Sequence, residues 1–383
     1  MTTTINNKHK KLNFSSEREQ SQACLNSAEH EKNQGRKVLN VPNLRFPEFQ
    51  GEWEGKTIGD IAPLQRGFDL PTGQINNGKF PVVYSNGIMN YHSSYKCAAP
   101  GLITGRSGTI GKFTYIEDGY YWPHNTSLWV TDFYDNNPKF IYYLYQTIRI
   151  EQYSTGSGVP TLNRNNVHRH QTFIPKLEEQ NKIATFLSLL DERIATQNKI
   201  IDKLQSLIKG IRNKLFENDK DWRKAKIREF LCIGNGKDYK HLDIGDIPVY
   251  GTGGKMLSVN DFLYDGDSVC IGRKGTIDTP LFLTGKFWTV DTLFYTYGFK
   301  DVLPKFCYYL FKQINWQLYN EGTGVPSLSK STIENIKVRI PSIVQQYKIC
   351  YILDSYEDKI KNEGLILDLY CSQKQYLLRQ MFI

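Results

Sequence analysis

Two stretches of this chain carry a hydrophobic pattern that a long helix satisfies and little else does. In 178–221 the positions Ile183, Leu187, Leu190, Ile194, Gln197, Ile201, Leu204, Ile208, Ile211 and Leu215 follow one another at alternating intervals of four and three. The segment 343–383 repeats the rhythm at Ile349, Leu353, Tyr356, Ile360, Glu363, Leu367, Tyr370, Lys374, Leu377 and Met381. A seam of that period is what a coiled coil buries, and ten in-phase positions exceed what an ordinary core helix needs. A polar layer falls at the same place in both frames, Gln197 and Glu363, where such residues set register at some cost in stability. At 1.5 Å per residue each helix would run roughly 58 Å. The pattern predicts two such helices packed antiparallel.

The intervening segments, 42–177 and 222–342, read differently. Short strand-like runs at Phe80–Tyr84, Gly101–Thr104 and Thr126–Thr131 alternate with Gly-rich turns, and Ile247–Tyr250, Ser268–Ile271 and Thr292–Thr296 echo them. The echo is an internal repeat at an offset of 166: FIYYLY at 140–145 returns as FCYYLF at 306–311, and TGSGVPTLNRNNV at 155–167 as EGTGVPSLSKSTI at 321–333. Upstream the offset slips slightly, with TGRSGTIG at 104–111 answering IGRKGTID at 271–278 and Trp53 answering Trp222. The expected fold is therefore α+β: two globular domains with small irregular β-sheets, separated by two long antiparallel coiled-coil helices, in a pseudo-two-fold internal repeat. Residues 1–41 have no counterpart in the repeat and read as a polar, disordered arm.

Charge sharpens this picture. Lys and Arg exceed Asp and Glu by nine. The excess is +3 over 1–50, +2 over 51–176 and +4 over 222–341, while both helical segments are neutral. Positive charge concentrated on the globular domains points to an anionic polymer such as DNA. The N-terminus has no apolar run and the mean hydropathy is −0.48, so the expectation is a soluble, cytoplasmic chain without a membrane partner. Seven cysteines without a CxxC pair argue for a reducing compartment and against a disulfide framework or thiolate zinc site. Neither GxxxxGK[ST] nor GxGxxG is present, nor any Pro-Pro dipeptide, and the pair His168 and His170 reads as a polar loop. No catalytic residue and no metal ligand is expected in the chain.

Three matched features have chemistry suited to nucleic acid. Tyr84, Ser85 and Asn86 before Gly87, answered by Tyr250, Thr252 and flanking glycines, form a turn able to show hydroxyls and amides to bases. Gly105-Arg106-Ser107-Gly108, with Lys112 following, and Gly272-Arg273-Lys274-Gly275 place an arginine where glycines permit close backbone approach to phosphate or a guanine edge. The alternative is a structural turn whose arginine pairs with a carboxylate. Third, Gly-Val-Pro-Thr/Ser-Leu leads into Asn163-Arg164 and Ser329-Lys330, a short helix start suited to phosphate or simply a capped helix.

With these features in hand the chain resembles the specificity (S) subunit of Type I restriction-modification enzymes. The resemblance rests on PNLRFPEFQGEWE at 42–54, IPKLEEQNKIATFLSLLDERI at 174–194 and IPSIVQQYKICYILDSYEDKI at 340–360, and covers 42–383. It implies that 42–177 and 222–342 are target recognition domains, each reading half of a split DNA site. It implies that 178–221 and 343–383 are spacers that dock two modification (methyltransferase) subunits, joined by restriction subunits. S-adenosylmethionine, ATP and Mg would then belong to those partners, and this chain would carry no catalysis. Because Ser107 faces Lys274 and Asn86 faces Gly253 in the repeat, an asymmetric target is expected. Glu179-Gln180 becomes Gln345-Gln346 in the second copy, which predicts a weaker acidic cap on that helix. The competing readings are a DNA-modifying enzyme with an unrecognised site, and a coiled-coil DNA-binding regulator or scaffold without enzyme partners.

Overall fold

The structure, a computed structural model, describes residues 39–156, 158–217 and 221–383. The arm expected at 1–41 lies mostly outside the described residues. At its end Asn40 is already tied into the fold, accepting from the Trp53 N–H at 2.8 Å and donating to Glu52. The described residues form two compact units. One runs to Leu190 and takes in Gln373–Ile383; the other is Asp191–Ser372.

The described residues hold seven α-helices: α1 (Ile58–Ile61), α2 (Pro138–Thr147), α3 (Arg164–His168), α4 (Leu177–Glu217), α5 (Pro304–Gln313), α6 (Lys330–Asn335) and α7 (Ile343–Gln380). None is long and apolar enough to cross a membrane. In the first unit an antiparallel sheet orders its strands Leu64–Arg66, Ser127–Val130, Gly101–Gly105, Phe113–Ile116. A second sheet orders Gly87–His92, Phe80–Tyr84, Tyr120–Pro123, Cys97–Ala98, with its middle pair parallel. The second unit repeats both orders: Cys232–Asn235, Leu293–Tyr297, Ser268–Gly272, Leu281–Leu283, and Gly254–Val259, Ile244–Gly251, Lys286–Thr289, Tyr264–Asp265. The sequence echo thus has a topological counterpart.

Each unit is closed by an aromatic trio that includes one residue from the other repeat. Trp53 packs on Phe140 of α2 and on Phe382, just beyond α7. Trp222 packs on Phe306 of α5 and on Phe216, near the end of α4. Phe306 and Phe382 lie 166 residues beyond Phe140 and Phe216, so the trios are equivalent. Both tryptophans are buried, and edge-on aromatic contacts of this kind add about 0.5–1.5 kcal/mol beyond area burial.

Along the α4 seam Ile183, Leu187, Leu190 and Gln197 are buried, with Ile194, Ile201 and Leu204 half-buried; along the second seam Ile349, Leu353 and Leu377 of α7 are buried, as is Met381 just beyond it. Gln197 Nε2 donates to the Glu363 carbonyl at 2.9 Å and to its carboxylate at 2.6 Å. These two residues are separated by the repeat offset itself. In an antiparallel pair, equivalent residues meet only where a local two-fold axis passes, so the axis of the helix pair lies at this polar contact.

The starts of α4 and α7 correct one expectation. Glu179 is not a surface cap. Its buried carboxylate takes Arg45 in a two-pronged pair at 2.8 and 2.7 Å and accepts from Trp53 Nε1. The ion pair holds the Arg45 guanidinium above its usual range. In the second repeat Gln345 compensates locally: its Oε1 accepts from the Ser342 N–H, and Ser342 Oγ accepts from the Gln345 N–H, a capping box. The next residue is the shared anchor. Gln180 accepts from the Asn137 N–H and donates to Asn136 and the Pro175 carbonyl. Gln346 accepts from the Leu303 N–H at 2.8 Å and donates to the carbonyls of Asp301 and Pro341. Gln346→Leu would strand three backbone groups, one buried and two partly buried. The expected cost is about 2–4 kcal/mol, read as a lower urea midpoint for the second unit.

Candidate nucleic-acid interface

Two of the three matched features, distant in sequence, are joined in each unit by backbone hydrogen bonds, and the third lies beside them. In the first unit the N–H groups of Arg106 and Ser107 both donate to the Thr126 carbonyl, at 2.8 and 3.2 Å. Leu162 N–H donates to the Arg106 carbonyl at 2.7 Å, and Gly108 N–H to Pro160 at 3.1 Å. In the second unit Arg273 and Lys274 donate to Thr292, Leu328 donates to Arg273 at 2.9 Å, and Gly275 donates to Pro326 at 2.9 Å. The glycine-arginine turn is thereby laced to the segment leading into α3 or α6. Glycine is required at Gly105 and Gly272, where a Cβ would fall on the carbonyl oxygens of Thr109 and Thr276.

The hairpin turn abuts the same place. A Cβ on Gly105 would come within 3.1 Å of the Ser85 side chain, and one on Gly275 within 3.8 Å of Thr252 Oγ1. Lys112 Nζ donates to the Asn86 carbonyl at 2.6 Å and so bridges hairpin and turn in the first unit. Asn163 caps α3 by accepting from the Asn165 N–H, and Ser329 caps α6 by accepting from Thr332. Both helices are about one turn long, too short for a useful dipole. What α3 contributes is the side chain of Arg164.

Not every candidate side chain is equally available. Tyr84 stacks on His124 at 4.2 Å between ring centres, and its hydroxyl accepts from Asn90. Tyr250 is half-buried against the core around Cys270 and Phe287. Lys330 reaches Glu334 at 3.7 Å. Asn86, Arg164, Arg273 and Lys274 are exposed, and Ser107 and Thr252 are half-buried. Arg106, half-buried, donates to the Asn125 carbonyl at 3.3 Å. Among the described residues neither Arg106 nor Arg273 forms an ion pair. A groove in the first unit is lined by Arg66, Phe68, Asp69, Arg106, Thr161 and Arg164, so three guanidinium groups share one concavity. Arg66 was invisible to repeat matching because the second copy has no basic residue at the equivalent strand.

His168 and His170 depart from the expected polar loop. His168 ends α3, and its Nε2 accepts from the Leu64 N–H at 2.8 Å; His170 Nδ1 pairs with the Tyr153 hydroxyl at 2.7 Å. Both tie the end of α3 to neighbouring segments of the first unit. Burial pushes His168, His170 and also His124 below the usual imidazole range.

This arrangement coincides with a known protein family. The model of the Type I restriction modification DNA specificity domain matches residues 50–206 and again 219–368. The chain is 23% identical over 361 residues to a putative type I restriction enzyme specificity subunit of Haemophilus influenzae, covering 85% of this chain and 93% of that one. It is 23% identical over 282 residues to the MjaVIII specificity subunit of Methanocaldococcus jannaschii, covering 57% and 64%. Among solved structures it resembles the S subunit of a type I restriction-modification system from M. genitalium, with a TM-score of 0.61 and 20% identity over 90% and 99% of the chains. It also resembles a chain from a study of complex assembly and conformational transition in a type I R-M system, with a TM-score of 0.53 and 14% identity over 88% and 98%.

Histidines held neutral by burial make stability fall as pH drops. Below about pH 6.5 the unfolded chain binds protons that the folded first unit resists. The three depressed histidines all lie in the first unit. Between about pH 7.5 and about pH 5.5, amide protection in Gly101–Gly105 should therefore fall more than in Ser268–Gly272. Hydrogen exchange corrected for intrinsic rates reads the difference.

Proposed function

The chain belongs to the Type I restriction modification DNA specificity family, and from that premise we propose that each globular unit reads one half of a split, asymmetric DNA site. The observation that carries this is the pair of backbone frames held by matching hydrogen bonds and bearing unlike side chains. Thr126, Pro160 and Leu162 hold the Arg106 turn with the hydrogen bonds that Thr292, Pro326 and Leu328 provide to the Arg273 turn. Ser107 and Asn86 in one frame face Lys274 and Gly253 in the other. Equal frames give equal approach to DNA, and different side chains give different base preferences. Arg66, Arg106 and Arg164 supply positive charge around the first frame, and Arg273, Lys274 and Lys255 around the second.

The chain itself carries no catalysis in this reading. Modification subunits methylate adenine with S-adenosylmethionine and restriction subunits cut DNA with ATP and Mg, all in the cytoplasm. A docking surface for a modification subunit lies on the helix pair in the second unit. With Gln197 and Glu363 as d positions, α5 is held on the e and b flank, through Arg212 to Gln313, Tyr309 to Asp354 and Lys312 to Glu357. The g and c positions Ile200, Leu207, Ile366 and Leu369 are apolar and exposed. An apolar stripe on the free flank of a two-helix pair is what further helices cover.

Arg106→Ala should reduce affinity roughly 10- to 100-fold at one half-site and Arg273→Ala at the other, the range for losing a bidentate base contact. Duplexes carrying changes in one half-site read this, the target being defined by mapping methylated adenine in a host carrying this chain with a modification subunit. Equal loss on every duplex would make both arginines phosphate contacts. Leu369→Glu should leave the melting temperature of the isolated chain nearly unchanged and weaken co-purification of the modification subunit; intact co-purification would refute the docking surface.

A further inference from the structure

Only two methionines are exposed among the described residues, and they occupy the same place in the two repeats. The chain has four. Met1 lies outside the described residues and Met381 is buried. Met89 and Met256 are 59% and 56% exposed. Each is the third residue of the second strand of its hairpin, Gly87–His92 in one unit and Gly254–Val259 in the other. More than half exposure is unusual for a thioether that could have been replaced by any polar residue on a solvent-facing strand.

Each sulfur is also folded back over its turn. Asn86 Nδ2 donates to Met89 Sδ at 3.5 Å. Met256 Sδ sits over Gly251, 2.9 Å from where a Cβ there would stand. The turn that each methionine covers is the one abutting the glycine-arginine turn. In the first unit Lys112 binds the Asn86 carbonyl, and in the second Lys255 precedes Met256 on the exposed strand. An exposed apolar tip on a turn that also carries a lysine does not match a protein core. It matches a groove whose walls are phosphate and whose floor is aromatic base edges and thymine methyl groups.

Resting on the DNA-reading function above, we propose that Met89 and Met256 are the apolar base contacts of the two half-sites, one per hairpin. A two-stranded ribbon fits the major groove, where an unbranched, polarisable side chain can lie on a thymine methyl group. The glycine-arginine turn beside it would hold the backbone or an adjacent guanine. Asn90 and Leu257 follow the two methionines, so the contacts share a position while their neighbours differ.

Peroxide footprinting of the complex with modification subunits tests this directly. Peroxide adds one oxygen to each exposed thioether, giving sulfoxide and water, and peptide mass spectrometry reads each methionine separately. The duplex defined by methylation mapping should slow oxidation of both residues several-fold. A duplex with one half-site scrambled should shield only one methionine, and the other half-scrambled duplex only the other. Met89→Ala and Met256→Ala should each weaken binding roughly tenfold or more, with Met→Leu at either position retaining most of the affinity and serving as the folding control. Binding of the target with both methionines oxidised at the free rate would overturn the assignment and leave DNA reading intact. Equal shielding by scrambled duplexes would overturn it as a base contact. Failure to bind any duplex specifically would overturn the proposed function and this assignment together.

Discussion

The constraint on which the structure depends is that neither repeat can finish its own core. Trp53 and Phe140 need Phe382, which the chain supplies from the far end of the second repeat, and Trp222 and Phe306 need Phe216 from the end of the first. α4 begins in the first unit and ends in the second, α7 does the reverse, and within the second unit the two run antiparallel. The Gln197–Glu363 contact follows from that reciprocity. It is a polar pair at the one level where equivalent residues can meet, and a shifted register would leave both groups facing apolar seam residues. Registry devices of this kind lower stability and raise specificity.

Within each unit the same economy appears in the turns. The hydrogen bonds that shape the arginine turns run almost wholly between backbone atoms, so they impose geometry without choosing side chains. Glycines at Gly105 and Gly272 are fixed by steric contact, while Ser107 and Lys274 one frame apart are free to differ. A scaffold specified by backbone and glycine can change its reading surface without being refolded.

Sequence reasoning recovered the architecture because its determinants are periodic or repeated. The four-three spacing announces a seam whatever it packs against, and a duplication shows itself without any knowledge of contacts. The same reasoning misjudged Glu179, because the residue's partner is Arg45, 134 positions away, and no local pattern marks a buried ion pair across that distance. It overlooked Arg66 and the two exposed methionines for a related reason. Arg66 has no repeat counterpart, and an exposed methionine is indistinguishable in sequence from one in a core.

What the sequence determined by itself was the α+β duplication, the two helical seams, the polar layer within them and the placement of positive charge on the globular domains. Each of these is a property of spacing or of counting, and survives without coordinates. Only the tertiary structure decided that three separated motifs share one edge, that three arginines share one groove, and that each aromatic core borrows a ring from the other repeat. Those outcomes depend on non-local backbone hydrogen bonds and on side-chain packing, which have no period along the chain and become visible only when the chain has closed on itself.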